Sequence, residues 1–307
     1  MNWQVIVLGV LLIAIFTSYG IYSMIPEDFD ISQIFSNAPK NYNFSINSPI
    51  TESEAMFYPG IRFPENKISY KIIDCPIQKQ DEMQNAIQFL EGQTILEFYK
   101  TESNEQITIT CDSKERLDGK FFIAGEGGPT NATKIDHKYI IFNSKVLLIE
   151  NSKCESPNIA IHELLHAIGL THSKNRNNIL YNISKCSQQI GDDTTDLINK
   201  VYSIPSLPDI SIENASASIN GDMLNLNITI RNLGYQPALP STLLIFSQTN
   251  EQIKKFPLEI ISIGYGTTIT IQNIQLKNTN INKLILEIAT PQDELDKGNN
   301  KIEINIQ

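Results

Sequence analysis

Residues 162–172 combine three histidines and a glutamate at spacings that suit a catalytic metal site. The stretch reads His-Glu-Leu-Leu-His-Ala-Ile-Gly-Leu-Thr-His and fits the pattern H-E-x-x-H-x-x-G-x-x-H. Five defined residues at fixed offsets match by chance in roughly one in 10⁵ chains of this length. On a helix, His162 and His166 project from one face, one turn apart, where both can bind one metal ion. Gly169 tolerates the left-handed backbone that ends helices, so we expect His172 to return as the third nitrogen ligand.

Three protein ligands and one open coordination position are typical of a catalytic zinc site. Zinc lowers the pKa of a bound water from 15.7 to about 7, so that hydroxide would be available at neutral pH. We expect Glu163 to take the proton of this water as it attacks a carbonyl carbon, and to pass it to the leaving amine. The sequence therefore predicts one catalytic Zn²⁺ and the hydrolysis of peptide bonds.

The extended motif resembles that of the metzincin clan of metallopeptidases, and the sequence after it resembles the matrixin branch. Matrixins carry a Met-turn eight residues after the third histidine, and this chain has Leu180 and then Tyr181 at that place. The family's methionine packs beneath the zinc without binding it, and a leucine has a similar volume. The resemblance covers about residues 57–205. It implies a twisted mixed sheet with long helices, and a strand within 121–149 that pairs with the substrate backbone.

The pattern along the predicted catalytic domain places strands at 68–73 and 107–111 and a helix over 79–99. Gly125-Glu126-Gly127-Gly128-Pro129 is interpreted as a surface loop. Residues 139–142 and 145–149 are interpreted as the two strands of a hairpin. His137, the fourth histidine of the chain, stands alone and is interpreted as a surface or core residue.

The sequence changes character after Pro205-Ser206-Leu207-Pro208. Residues 209–307 contain neither cysteine nor histidine, and short alternating apolar runs at sandwich-like spacing replace helical periodicity. The segments 230–234 and 293–300 resemble the CARDB-type immunoglobulin-like module of prokaryotic surface proteins. We therefore expect an α+β chain whose residues 206–307 form an all-β immunoglobulin-like sandwich, with a spacer as its simplest role.

The amino-terminal segment is long and apolar enough to interact with a membrane. Residues 3–25 contain no charged side chain, and about 20 such residues span a bilayer. Residues 1–25 are therefore interpreted as a transmembrane signal anchor, with a cleaved signal peptide as the alternative. Residues 26–56, rich in Asn, Ser and Pro, are interpreted as a flexible stalk. Both alternatives predict an exported catalytic domain, either anchored at the cell surface or secreted.

Four cysteines, an even number, agree with an exported protein that contains disulfides. Four cysteines allow three connectivities, and the sequence alone leaves all three open. A bridge between Cys154 and Cys186 would brace the zinc site on both sides, leaving Cys75 and Cys111 as the second pair.

The net charge of −10 argues against nucleic-acid binding, which requires a basic surface. The predicted partners are therefore a peptide or protein substrate and, through the N-terminal segment, a membrane. The main hypothesis is a membrane-tethered or secreted zinc endopeptidase. The alternative is a catalytically weak or inactive zinc-binding surface protein that acts in adhesion through its β-sandwich. Retention of Glu163 argues against this alternative, whereas Leu180 favours it.

Overall fold

The computed structural model describes residues 55–114, 116–118, 121–149, 156–277 and 281–306. The expected membrane segment, almost all of the expected stalk, and Cys154 lie outside these ranges. Within them, no helix is both long enough and apolar enough to cross a membrane.

The described chain is mixed α/β, with short helices and many strands. Its helices are α1 (Ile77–Gln93), α2 (Asn158–Ala167) and α3 (Asp192–Tyr202), and Gly298–Asn300 forms a 3₁₀ turn. Its strands are β1 (Lys67–Ile73), β2 (Glu97–Lys100), β3 (Ile107–Cys111), β4 (Arg116–Asp118), β5 (Phe121–Ile123), β6 (Gly125–Ile135), β7 (Lys138–Leu148), β8 (Ile210–Asn220), β9 (Met223–Asn232), β10 (Ser241–Ser247), β11 (Gln252–Leu258), β12 (Gly266–Gln275), β13 (Lys283–Ala289) and β14 (Lys301–Asn305).

Residues 55–202, here called the mixed-sheet region, contain a five-stranded sheet with the order β2-β1-β3-β7-β6. β1 runs parallel to β2 and β3, β7 runs parallel to β3, and β6 is antiparallel to β7. β6 is thus an edge strand, and no described strand pairs with its outer side. Pro129 within β6 agrees with this position, because proline has no N–H to contribute to a central ladder.

One apolar core fixes α2 against this sheet. Ile161, Leu164 and Leu165 of α2 are completely buried, in one cluster with Met83 and Leu90 of α1 and with Ile109 and Val146 of the sheet. Burial of each such side chain stabilises the fold by about 1.5–3 kcal/mol. Because these residues alternate with the two histidines of α2, the core determines where the histidines point.

Residues 210–306, here called the C-terminal β region, form two antiparallel sheets. Their strand orders are β11-β10-β13-β14 and β12-β9-β8. Alternate residues of both sheets, including Leu224, Ile228, Leu243 and Leu286, are buried in one shared core. The alternating apolar runs from which strands were predicted, at residues 223–230, 242–246, 268–271 and 284–288, all lie within strands.

Three local predictions in the mixed-sheet region were wrong. The helix expected over 79–99 ends at Gln93, and residues 97–100 form β2, because pairing with β1 outweighs their helical pattern. The glycine-rich segment is not a loop but the start of β6. The hairpin expected within 139–149 is a single strand, β7, and the actual hairpin turn lies between Ile135 and Lys138.

A disulfide joins Cys75, just before α1, to Cys111 at the end of β3. The two cysteines are 36 residues apart in sequence, and a crosslink that closes a loop of this length stabilises a fold by about 4 kcal/mol. Cys186 is also disulfide-bonded. Because Cys154 is not described, the pairing of Cys154 with Cys186 stays a prediction.

A completely buried arginine, Arg62, connects the mixed-sheet region to the chain that follows it. All five of its N–H donors find an oxygen acceptor, namely the carbonyls of Phe63, Pro64, Val201 and Ile204 and the hydroxyl of Ser206. Its guanidinium carbon lies 4.9 Å from the ring centre of Tyr202 and 4.5 Å from that of Tyr235. Full hydrogen bonding and two aromatic faces offset the cost of burying this charge.

The tip of the β6–β7 hairpin makes a second contact with the C-terminal β region. Ile135 and Ile140 are buried together with Tyr235, and Lys138 Nζ donates a hydrogen bond to the carbonyl of Leu233 (3.1 Å). Gly264 packs on the same tip, where an added Cβ would lie 2.6 Å from Ile135 Cδ1. We call these contacts and those of Arg62 the junction.

Candidate metal centre

α2 brings His162 and His166 together. Because they are four residues apart on one helix, their rings lie on one face, and their Nε2 atoms are 2.9 Å apart. Both residues are buried, with only 5% of each exposed. Burial, with a smaller effect from His172, lowers the pKa of His162 to about 4. Burial also lowers the pKa of His166 well below its usual value. Both rings are therefore neutral at pH 7, the form in which histidine binds metals.

Gly169 turns the chain so that His172 reaches the same point. Its φ of +105° is unfavourable for residues with a side chain, and an added Cβ would lie 2.7 Å from Ile61 Cγ2. After this turn, His172 Nε2 lies 3.3 Å from His162 Nε2. The ligand atoms of the three histidines all lie within 4.8 Å of one another.

Backbone carbonyls fix the orientation of the two helical histidines. The Nδ1 of His162 is 2.6 Å from the Ile179 carbonyl, and the Nδ1 of His166 is 2.8 Å from the Leu170 carbonyl. Because a carbonyl only accepts, each Nδ1 carries the proton, and each neutral ring directs the Nε2 lone pair at its neighbours. Lone pairs this close repel one another unless a cation lies between them.

The donor set suits a zinc ion. Two nitrogens at about 2.0–2.1 Å from a tetrahedral zinc are separated by about 3.3 Å, close to the Nε2 separations of the three rings. Three imidazoles also form the ligand set of known catalytic zinc sites. These residues could therefore hold a metal ion, as the sequence predicts.

Glu163 lies next to the histidines and beneath β6. Glu163 is 6% exposed. Burial, followed by the charge of Glu126, raises the pKa of its carboxyl group to about 8. A cation held by the neighbouring imidazoles would oppose this shift, because it favours the carboxylate. The protonation of Glu163 would therefore depend on whether the histidines hold a cation.

Gly125 and Gly127 allow β6 to approach Glu163 closely. A Cβ on Gly125 would lie 2.6 Å from Glu163 Cγ and 2.9 Å from its Oε1, and one on Gly127 would overlap the Glu163 carbonyl oxygen. Both glycines were predicted to lie in a surface loop, and that prediction was wrong. The glycines themselves could have indicated this close approach, because glycine inside a strand often marks a place where another backbone comes close.

The turn that carries Leu180 and Tyr181 lies behind the histidines. Leu180 is 3% exposed and belongs to the same core as α2. Its N–H donates to Asn178 Oδ1 (2.8 Å) and its carbonyl accepts from the N–H of Ser173 (2.9 Å), while Tyr181 is half-buried. Because the preceding residue, Ile179, accepts the hydrogen bond from His162, this turn helps to orient a histidine of the centre.

The remaining candidates lie elsewhere. His137 is at the tip of the β6–β7 hairpin, with 92% of its side chain exposed, which agrees with its interpretation as a surface residue. Cys75 and Cys111 form the disulfide at the far end of β3. None of these three residues belongs to the group that could hold a metal.

Comparison with known proteins confirms the matrixin resemblance. Residues 62–203 match the model of the peptidase M10 family, the matrixins. No curated protein matches the sequence.

Several solved structures also match the chain. A cell-surface protein domain from Methanosarcina acetivorans is 11% identical, over 33% of this chain and 93% of its own, with a TM-score of 0.29. A CARDB domain from Pyrococcus furiosus, solved with di-metal ions, is 11% identical, over 33% of this chain and 90% of its own, with a TM-score of 0.27. Myroilysin is 14% identical, over 38% of this chain and 54% of its own, with a TM-score of 0.27.

Proposed function

We propose that residues 57–205 form a zinc-dependent endopeptidase domain that hydrolyses peptide bonds. One observation carries the proposal: three imidazoles converge on one point, and two of them are held by carbonyls in the tautomer that binds metal. The family match over residues 62–203 supports it, because matrixins are metallopeptidases.

In this proposal His162, His166 and His172 hold one zinc ion. When bound, zinc acts as a Lewis acid that makes a water nucleophilic at neutral pH and stabilises the developing oxyanion. Glu163 takes one proton of the attacking water on its carboxylate and donates it to the nitrogen of the scissile amide, so that the amine leaves neutral. The glycines of β6 let the strand cover Glu163 and limit its contact with water.

The outer side of β6 is proposed to bind the substrate backbone. An edge strand exposes N–H and C=O groups that pair with an extended peptide, a common mode of peptide recognition. β6 also starts beside Glu163, so a peptide paired with it would pass the proposed general base. An open edge of this kind favours an endopeptidase over an exopeptidase.

The domain organisation completes the proposal. Residues 1–25 would anchor the chain in a membrane or direct its secretion, residues 26–56 would act as a stalk, and residues 206–307 would form an immunoglobulin-like sandwich. The separate shared core of the two C-terminal sheets supports this last assignment. Disulfide-bonded cysteines support an extracellular or cell-surface location.

Cleavage of a mixed peptide library by the zinc-loaded full-length protein and by its Glu163→Gln variant tests the proposal. We expect kcat/KM to fall by about 10²–10⁴ in the variant, the usual contribution of a general base, while zinc content stays the same. Glu97→Gln, an exposed carboxylate on the opposite edge strand, is the matched control and should cleave normally. Cleavage by Glu163→Gln at the unaltered rate would contradict the assigned role. A zinc-loaded protein that cuts nothing would favour the adhesion alternative.

A further inference from the structure

A cavity of about 500 Å³ lies between the β6–β7 hairpin and the C-terminal β region. Asn131, Thr133 and Phe142 of the hairpin line one side of it, and Pro237, Ile263 and Tyr265 of the C-terminal β region line the other. Because both regions contribute walls, the cavity requires the junction. The packing of Gly264 on Ile135 holds the two walls together.

The cavity lies further along β6, the strand that passes Glu163. Gly125 packs against the side chain of Glu163, and Asn131 and Thr133 follow it six and eight residues later in β6. The pairing of β6 with β7 is irregular between Pro129 and Ala132, and this bulge shortens the path along the strand by about one residue. At about 3.3 Å per residue, the cavity therefore lies about 17–23 Å from the carboxyl group of the proposed general base. An extended peptide that pairs with β6 would reach it about five to seven residues from its scissile bond.

The cavity opens on the face of the sheet opposite the helices. In β7, Ile141 packs in the core with α1 and α2, whereas the next residue, Phe142, lines the cavity. Side chains of a paired peptide alternate between the two faces, so every second one would point towards the cavity. Gly125 faces Glu163 on the helix side, and the bulge moves Asn131 and Thr133 to the opposite side. The fifth and seventh residues from the scissile bond would thus share this orientation.

The lining and its surroundings favour an apolar side chain. Phe142, Pro237, Ile263 and Tyr265 form the apolar part of the lining, and none of the described lining residues carries a charge. The polar groups of the lining are neutral amide and hydroxyl groups, from Asn131, Thr133 and Ser262. Tyr265 is 72% exposed, and Ile260 and Leu239 on the neighbouring loops are 60% and 49% exposed. A pairing of Ala238 with Ile261 joins those loops. Exposed apolar side chains grouped beside a groove are typical of binding sites.

We propose that this cavity is a distal substrate subsite, which binds an apolar or aromatic side chain at about the fifth or seventh residue before the scissile bond. The inference rests on the proposed peptidase function. The residues lie on the N-terminal side of the bond because antiparallel pairing, the commoner arrangement, runs the substrate against the direction of β6. The C-terminal β region is then part of the substrate-binding surface and not only a spacer.

Cleavage-site profiling with the zinc-loaded full-length protein tests this inference. The products of a peptide library are sequenced for the unaltered protein, for Tyr265→Ser, which removes one wall, and for Thr133→Trp, which fills the cavity. Tyr99→Ser is the matched control, since Tyr99 is also exposed but lies on the opposite edge strand. We expect apolar residues to be enriched about tenfold over serine at about the fifth or seventh position in the unaltered and Tyr99→Ser proteins. Both cavity variants should lose this enrichment but keep the preferences next to the bond.

A binding measurement separates failure of the subsite from failure of the peptidase function. Fluorescein-labelled extended peptides that carry phenylalanine or serine are titrated into the zinc-loaded Glu163→Gln protein and followed by anisotropy. We expect the phenylalanine peptide to bind about fivefold or more tightly, and Tyr265→Ser to remove the difference. Absence of cleavage by the unaltered protein with this binding difference present would overturn only the peptidase function. Equal binding of both peptides, or a cleavage preference that both cavity variants retain, would overturn the subsite.

Discussion

The metal centre, in which the two helical histidines are buried and His172 is exposed, and the buried junction are both polar sites, yet they are built in opposite ways. The centre takes its three histidines from eleven consecutive residues, 162–172, on one helix and its following turn. The junction connects Arg62 to Tyr202, Ser206 and Tyr235, which are 140 to 173 residues away in sequence. The centre gathers neutral rings that could hold a cation, whereas the junction contains the guanidinium cation of Arg62, whose donors are all satisfied by the protein.

This difference predicts that activity and stability depend mainly on different sites. We expect the metal centre to determine activity and to contribute stability only through bound zinc. We expect the junction to determine stability and the relation of the two regions, with little effect on zinc. Substitutions in each site, read out by both activity and stability, test this division.

The largest effect is expected from Arg62→Met. The substitution leaves the buried carbonyls of Val201 and Ile204 without their donor, and removes the charge held between two tyrosines. We expect the free energy of unfolding to fall by about 3–5 kcal/mol, because each buried acceptor left without a donor costs about 1–3 kcal/mol. Urea denaturation followed by circular dichroism should show two transitions in place of one as the two cores uncouple, while zinc affinity changes by less than about threefold.

Arg62→Lys is the control for charge alone. Lysine keeps the positive charge but offers three donors without the planar fork, so we expect it to recover only part of the lost stability. A full recovery by lysine would show that charge, and not the five-bond geometry, holds the junction.

The next effect is expected from His166→Ala at the metal centre. Loss of a direct ligand should weaken zinc binding by more than about 100-fold, the upper range for residues that only support a ligand. Competition with a chromophoric chelator measures this affinity. His137→Ala removes an exposed histidine and should bind zinc as the unaltered protein does. Equal zinc affinity of both variants would place the metal elsewhere.

The sequence predicted the centre because metal chemistry constrains spacing. His162, His166, Gly169 and His172 each occupy an offset that helix geometry and a third ligand require, and a local pattern is sufficient to recognise them. Arg62 was missed because its acceptors are mostly backbone carbonyls, which any residue type provides. Gly125 was misassigned because a single sequence does not distinguish a glycine in a loop from a glycine in a strand that leaves room for a neighbouring side chain, here Glu163. The β2 residues Phe98 and Tyr99 were assigned to a helix because only pairing with β1 places them in the sheet.

Gly125→Ala tests whether the packing of β6 determines the position of the Glu163 carboxyl group at the metal centre. The new Cβ would meet the end of a flexible side chain, so we expect the Glu163 carboxyl group to move and not the backbone. A misplacement of about 1 Å costs up to about 100-fold in rate, so kcat should fall by about 10–100-fold, with about 1–3 kcal/mol lost in stability.

Gly92→Ala is the matched substitution. Gly92 lies in α1 with open space around it, so alanine should stabilise the fold by about 0.5–1 kcal/mol and leave kcat unchanged. A fall in kcat of equal size for both variants would mean that the effect at Gly125 is a general one.

The smallest effect is expected from Leu180→Met, which restores the methionine that matrixins carry at this position. Leu180 is 3% exposed in a core, and a swap of similar volume usually costs less than about 1.5 kcal/mol. We therefore expect kcat/KM and zinc affinity to change by less than about threefold. Leu180→Ala, in contrast, leaves a cavity and should cost about 2–5 kcal/mol. It should also weaken zinc binding about 10–100-fold, because the adjacent Ile179 carbonyl that orients His162 loses its support. If these outcomes hold, position 180 requires a side chain of suitable volume and not a sulfur atom. Leu180 then gives no reason to regard the site as inactive. A rise of more than tenfold in kcat/KM for Leu180→Met would instead make the leucine a cause of weak catalysis.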